Sequence, residues 1–168
     1  MPLRTQHISE SDPSQFVHLL GEVFGDSPWV AEQAYLLCPF TSRENLIECM
    51  VNIMQRAPEA KQQELLRSHP GLGACEGQKS STAGKNDQAS ALLNQCNSAE
   101  LARIERLEGE YRERFGYPFI IDCTGLDKVR ILSELETRLQ NPAQDEFNRA
   151  LVEVEKIARN RIYALVSG

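Results

Sequence analysis

Apolar residues spaced three and four positions apart recur along most of this chain, and this spacing limits its possible folds more than any other feature. The clearest run ends at Gly116 and consists of Leu101, Ile104, Leu107, Tyr111 and Phe115. Such spacing places the side chains on one face of an α-helix. Similar patterns predict helices at about 58–67, 127–139 and 143–166. The sequence therefore predicts an all-α protein with several helices.

Helix-start signals predict further helices in the remaining sequence. Asp12-Pro13 predicts a first helix that Gly25 would end, and Ser27, Thr41 and Ser98 are predicted caps of later helices, with Glu44 completing a capping box after Thr41. Tyr117 to Cys123 is the one strand-like run, but it is short and contains Pro118. We expect an extended connector there and not part of a sheet.

Length and composition indicate an ordinary globular protein. A chain of 168 residues without an internal repeat is expected to form a single domain over 1–168, a compact multi-helix fold. The net charge of −6 and the lack of a basic stripe argue against nucleic-acid binding. No apolar run approaches the ~18 residues of a membrane span, and no leader-like segment is present. We therefore expect a soluble, cytoplasmic protein.

The cysteines indicate neither a metal site nor a disulfide framework. There are five, an odd number, and no two of them form a Cys-x-x-Cys pair. Reduced thiols are expected.

His69 is the first candidate catalytic residue. The chain has three histidines, and only this one lies in a segment of unusual composition, between Ser68 and Pro70-Gly71. Imidazole titrates near pH ~6.5, which suits proton transfer at neutral pH. Pro70 restricts His69 to extended backbone, so the histidine is expected at a helix end. Two readings remain open from these residues alone, an acid–base group and a simple structural turn.

Arg161 and Asp87 are the next candidates, and each also has two readings. In the last predicted helix, Arg161 takes a position on a stripe that is otherwise apolar, formed by Phe147, Leu151, Val154, Ala158 and Leu165. A guanidinium directed towards a core needs a carboxylate, supplied either by the protein or by a ligand. Asp87 is followed by Gln88, and the glycine-rich segment Gly71 to Lys85, which precedes it, is a predicted loop. Asp87 is either a helix-start residue or a group that this loop brings to the pocket of His69.

Together these segments resemble the 2-oxo-4-hydroxy-4-carboxy-5-ureidoimidazoline (OHCU) decarboxylase family over nearly the whole chain. The resemblance depends on Ser27-Pro28-Trp29, then Ser68-His69-Pro70, then the Arg-Phe-Gly-Tyr-Pro-Phe segment at 114–119, in this order. Further matching segments are 24–31, 39–40, 72–73, 87–88, 111–121 and 156–162.

The resemblance implies an all-helical homodimer that forms S-allantoin from OHCU during urate degradation, without cofactor or metal. It implies His69 and Asp87 as catalytic residues. It implies a substrate-binding set of Pro70, Gln88, Ile120, Ile121 and Arg161, in which the two isoleucines act through their backbone. In one place the chain departs from the family, which usually has Ser-x-x-Glu-Gln where this chain has Gly84-Lys85-Asn86-Asp87-Gln88. The carboxylate at position 87 is therefore one methylene shorter.

The implied reaction suits a site without a cofactor. Loss of carbon dioxide leaves an electron pair that the adjacent carbon–nitrogen double bond of the substrate can accept. His69 would then act as acid and base near the hydroxyl and carboxylate, Gln88 would bind the ureido amide, and Arg161 would offset negative charge. The alternative is a non-catalytic helical binding or dimerisation module. Hydrolysis of the preceding urate-pathway intermediate is disfavoured, because the sequence has neither a metal constellation nor a β-rich pattern.

Overall fold

The computed structural model describes residues 3–70 and 96–167, and the regular secondary structure of these ranges is almost entirely helical, as predicted. The described elements, in chain order, are β1 (Leu3–Arg4), α1 (Thr5–Ser9), α2 (Pro13–Leu20), α3 (Trp29–Tyr35), α4 (Arg43–Arg56), α5 (Glu59–Ser68), α6 (Ser98–Phe115), α7 (Lys128–Leu139), α8 (Ala143–Leu165) and β2 (Val166–Ser167). None of the described helices is long and apolar enough to cross a membrane.

The chain divides into two compact units. One is Met1–Ser68 with Glu155–Gly168, and the other is His69–Val154. The boundary between Val154 and Glu155 falls inside α8, so this one helix supplies residues to both units.

The first unit is built around α2, α3 and α4. Phe16 of α2 is fully buried, makes an edge contact with Tyr35 at 5.4 Å between ring centres, and stacks on Phe40 at 6.1 Å. The apolar face of α4 joins this core through Leu46, Ile47, Met50, Val51 and Met54. The two ends of the described chain meet in a short parallel pairing, with Leu3 opposite Val166 and Arg4 opposite Ser167. Arg43 reinforces this pairing, because its Nη1 donates to the carbonyl of Val166 at 3.1 Å.

The second unit is centred on Tyr111 of α6. Its ring lies 4.7 Å from that of Phe115, 5.9 Å from Tyr117 and 5.3 Å from Phe119, measured between ring centres. Gly116 ends α6 with a φ of 83°, a left-handed conformation that glycine adopts without strain. The chain can therefore reverse direction and return along the same cluster.

The segment after Gly116 is irregular, and among the described residues no strand pairs with it. All five residues from 117 to 121 are buried. This confirms the prediction of a connector outside any sheet, and it leaves buried backbone that needs hydrogen-bond partners other than a strand.

The predicted caps are correct to within one residue at most helix starts. Asp12 caps α2 by accepting from the N–H of Gln15, as expected before Pro13. The caps of α4 and α6 are Ser42 and Asn97, whereas Thr41 and Ser98 were predicted. In each case two adjacent polar residues can serve as cap, and only the backbone conformation distinguishes them.

Two other predictions at helix ends were wrong. Helix α2 ends at Leu20, well before the predicted Gly25, although Gly25 does adopt a positive φ of 73°. The residue before α3 is Pro28, which makes no side-chain cap, so Ser27 is not the cap that was predicted.

The buried face of α8 also differs from the predicted stripe. Its fully buried positions include Glu146, Ala150, Val154, Ala158 and Ile162. Phe147, Leu151 and Arg161 lie beside this face and are partly exposed, and Leu165 is 39% exposed. A stripe chosen by its apolar residues leaves out Glu146, although Glu146 is buried in the core. The predicted face is therefore rotated about the helix axis relative to the buried one.

Candidate functional site

Helix α5 leads directly to His69, and one buried amide fixes where this helix lies. The side chain of Gln62 donates from Nε2 to the carbonyls of Met54 and Gln55, at 3.1 and 3.0 Å. These carbonyls belong to the last turn of α4, where that of Met54 also accepts the N–H of Ala57 at 3.3 Å. Gln62 thus joins the end of α4 to α5, and Leu65 and Leu66 bury the same side of α5 in the core.

The last residue of α5 is held in place by its hydroxyl. Ser68 Oγ donates to the carbonyl of Leu65 at 3.1 Å and lies 3.4 Å from the Oγ of Ser27. Both serines belong to the segments that carry the family resemblance. They bring the start of the Ser27-Pro28-Trp29 segment next to the end of α5.

His69 is the first residue after α5, at a helix end as predicted, and it is buried with 3% of its surface exposed. Its Nδ1 lies 3.0 Å from the carbonyl oxygen of Pro70. A carbonyl oxygen only accepts hydrogen bonds, so this contact requires the proton on Nδ1. In the neutral ring, Nε2 then carries the lone pair that can take up a proton.

Ile120 and Ile121 are 1% and 3% exposed, and they lie in the irregular segment after Gly116 in the second unit. The carbonyl of Ile120 accepts a hydrogen bond from Nη1 of Arg138 at 2.7 Å. Arg138 comes from α7, and its guanidinium also lies 4.5 Å from the centre of the Phe119 ring. A side chain thus provides the donor that a neighbouring strand would supply in a sheet.

Arg138 is paired with a buried carboxylate at the start of α8. Its Nε and Nη2 lie 2.8 and 2.7 Å from Oε1 of Glu146, and both side chains are buried. Tyr111 donates its hydroxyl to the same oxygen, and Asn141 donates from Nδ2 to the other oxygen at 3.0 Å. Glu146 lies in the first turn of α8, where the helix dipole favours a negative charge.

Burial is the main reason why the pKa of Tyr111 is raised far above its ordinary value, against the lowering effect of Arg138. Burial likewise raises the pKa of Tyr117 to about 12. Both phenols therefore stay protonated at neutral pH.

Arg161 lies on the part of α8 that belongs to the first unit. It is partly buried, and its Nη1 donates to the carbonyls of Glu22 and Val23 at 3.1 and 3.3 Å. These two bonds hold the guanidinium but bring no negative charge to it. The prediction that Arg161 points towards the core is met in part, because the residue is half-buried and its guanidinium bonds to two backbone carbonyls.

The predicted site residues fall into three groups. His69, Pro70, Ile120 and Ile121 belong to the second unit, and Arg161 belongs to the first. Asp87 and Gln88 lie outside the described residues.

The described residues favour neither a metal site nor a reactive cysteine. Within 3–70 and 96–167, no group of three or more His, Cys, Asp or Glu side chains could hold a metal ion. The cysteines in these ranges, at 38, 49, 96 and 123, form no disulfide. Burial raises the pKa of the thiols of Cys38, Cys49 and Cys96, which opposes their use as thiolate nucleophiles.

Arg138 is the residue that the sequence reasoning missed. The buried face of α7 includes Ile131, Leu135, Arg138 and Leu139. An arginine therefore interrupts an apolar stripe, which is the signal that drew attention to Arg161. The same test applied to this helix would have identified Arg138.

Comparison with known proteins agrees with this description. The profile of the OHCU decarboxylase family matches residues 9–163. An OHCU decarboxylase from Haloferax volcanii is 36% identical over 160 residues, which are 95% of this chain and 94% of that protein. A uric acid degradation bifunctional protein from Bacillus sp. (strain TB-90) is also 36% identical over 160 residues, but the chain spans only 32% of its length.

A solved structure extends the agreement to the fold. The crystal structure of an (S)-allantoin synthase superposes with a TM-score of 0.78 at 25% identity, over 99% of this chain and 54% of that one. The profile match covers most of the chain, and the Haloferax relative is matched along nearly its full length. The chain is a member of the OHCU decarboxylase family.

Proposed function

We propose that this protein catalyses the decarboxylation of OHCU to (S)-allantoin in urate degradation, as a carboxy-lyase that needs no cofactor. The observation that carries the proposal is the state of His69, a buried imidazole whose Nδ1 proton is held by the Pro70 carbonyl in a chain of this family. The profile match spans both compact units, which supports treating residues 1–168 as one catalytic domain.

His69 supplies the proton transfers. With Nδ1 committed to the Pro70 carbonyl, Nε2 is the atom that takes the hydroxyl proton of the substrate and returns a proton to the intermediate. The electron pair released with carbon dioxide moves into the adjacent carbon–nitrogen double bond. Pro70 lines the substrate pocket beside His69. The backbone of Ile120 and Ile121 contacts the ring of the substrate.

Replacing His69 by asparagine tests this role. The asparagine amide can donate to the Pro70 carbonyl in place of Nδ1, but it has no equivalent of Nε2. We expect His69→Asn to fold and to lose about 10²–10⁴-fold in kcat, the usual effect of removing a general acid–base group. The measurement is decay of freshly generated OHCU above its spontaneous rate, with melting temperature as the check on folding.

His18→Asn is the matched control, because His18 is exposed on α2 and should leave the rate unchanged. Near-native turnover by His69→Asn would remove this imidazole from the mechanism. If the unmodified protein does not accelerate OHCU decay, the alternative of a non-catalytic helical module is favoured.

Arg161 binds the anionic substrate and offsets charge in the transition state. Its guanidinium is held from one side by the carbonyls of Glu22 and Val23, which supports a fixed orientation. A planar guanidinium can hold a carboxylate through two parallel hydrogen bonds, whereas a lysine ammonium cannot.

We therefore expect Arg161→Lys to weaken (S)-allantoin binding by about tenfold, measured by calorimetric titration. Arg161→Met should lower the free energy of unfolding by about 1–2 kcal/mol, as expected for lost hydrogen bonds. A loss of about 3–5 kcal/mol would indicate instead an internal carboxylate left buried and unpaired. Arg159→Lys is the control on the same helix, because Arg159 pairs with Glu155 at 3.0 Å.

Asp87 is proposed as the second catalytic residue and Gln88 as the partner of the ureido amide, both from the family resemblance. Asp87 orients His69 or the substrate, or relays the proton. We expect Asp87→Ala to lower kcat/KM strongly and Asp87→Glu to retain or raise it, since glutamate restores the reach usual in the family. Unchanged steady-state kinetics in Asp87→Ala would place the carboxylate function elsewhere.

We also propose that the protein acts in the cytoplasm as a homodimer, again from the resemblance and the sequence features above. Light scattering coupled to size-exclusion chromatography should give twice the 18.9 kDa of one chain. A mass of one chain at micromolar concentration would contradict the dimer.

A further inference from the structure

Arg138 holds a backbone carbonyl and a buried carboxylate at the same time. Nη1 donates to the carbonyl of Ile120 at 2.7 Å, while Nε and Nη2 lie 2.8 and 2.7 Å from Oε1 of Glu146. The two partners engage different edges of one rigid, planar guanidinium. The direction of the Ile120 carbonyl is therefore coupled to the position of Glu146.

The other members of the cluster keep Glu146 in place. The hydroxyl of Tyr111 and the amide of Asn141 donate to its two carboxylate oxygens. Phe119, the residue before Ile120, lies under the guanidinium with its ring centre 4.5 Å away, and Tyr111 packs against that ring. The guanidinium is thus enclosed by contacts on its edge and on its face.

Stability alone is a weak reason for this arrangement. A buried ion pair often contributes no more than well-packed apolar residues of similar volume. The buried backbone at Phe119 to Ile121 belongs to no helix or strand of the described residues, however, so its polar groups need hydrogen-bond partners from elsewhere. The guanidinium of Arg138 supplies such a donor, and Glu146 balances its charge.

We propose that Arg138 is a positioning residue of the active site, which sets the plane of the peptide between Ile120 and Ile121 through the Ile120 carbonyl. This inference depends on the proposed function, in which the backbone of these two residues contacts the substrate ring. A peptide is rigid and planar, so holding its carbonyl fixes the direction of its N–H as well. Arg138 acts on the substrate only through this peptide.

Arg138→Lys tests the proposal, because lysine keeps the charge opposite Glu146 but cannot bond to both partners in the same way. We expect kcat/KM for OHCU to fall by about tenfold, mainly through a higher KM. The amide crosspeak of Ile121 in a ¹⁵N–¹H correlation spectrum should shift, because this amide shares a peptide with the Ile120 carbonyl.

Tyr111→Phe is the matched control. It removes a hydrogen bond to the same oxygen of Glu146 and leaves every donor of Arg138 intact. We expect it to lower the melting temperature and to change KM and the Ile121 crosspeak less than Arg138→Lys does, because Arg138 and Asn141 still bond to Glu146. All variants are compared at a temperature where circular dichroism shows them fully folded.

A second variant removes both charges of the pair. Arg138→Met with Glu146→Gln leaves no buried charge unpaired, yet it still lacks the donor to Ile120. The rise in KM and the crosspeak shift should recur in this double variant, including the case in which Arg138→Lys fails to fold.

Three results would overturn the positioning role. These are equal losses of kcat/KM in the Arg138 variants and Tyr111→Phe, unchanged kinetics in the Arg138 variants, and an Ile121 crosspeak that does not move. In each case the unmodified protein still turns over OHCU, so the proposed function stands. An inactive unmodified protein would overturn the proposed function, and the positioning role of Arg138 with it.

Discussion

Buried backbone that belongs to no strand of the described residues is the constraint on which the second unit depends. Five consecutive residues, 117–121, are buried outside any helix or strand. An unpaired carbonyl in such a place is destabilising, and the chain satisfies the one at Ile120 with the guanidinium of Arg138. That guanidinium requires a counter-charge, which is Glu146, and Glu146 requires donors, which are Tyr111 and Asn141. Helices α6, α7 and α8 are therefore joined at one buried point.

At the end of α5, side chains likewise supply hydrogen-bond donors to backbone carbonyls. Gln62 satisfies carbonyls in the last turn of α4, and Ser68 satisfies a carbonyl of its own helix. The carbonyl of Pro70 then determines which ring nitrogen of His69 carries the proton. After α5 a backbone carbonyl thus orients the imidazole, whereas in the second unit the side chain of Arg138 holds a backbone carbonyl.

The sequence predicted the helices well, because spacing of three and four is a property of the helix itself. It predicted the connector at 117–123 for an equally local reason, the proline in a short run. The face of α8 was mistaken, because Glu146 is a core residue only through Arg138, and no local pattern reveals that pairing. Ile120 and Ile121 were predicted from the family resemblance, whereas Arg138, which holds the Ile120 carbonyl, became visible only in the fold.

The pairing of Leu3 with Val166 and Arg4 with Ser167 has a consequence for how this chain can be joined to others. Neighbouring strands lie about 4.8 Å apart, so the polypeptide enters and leaves its first unit at nearly the same place. Because the pairing is parallel, a segment added before Leu3 and one added after Ser167 would start close together but leave in opposite directions. Circular permutation would accordingly need a linker long enough to carry the chain back from Ser167 to Leu3, and not a tight turn.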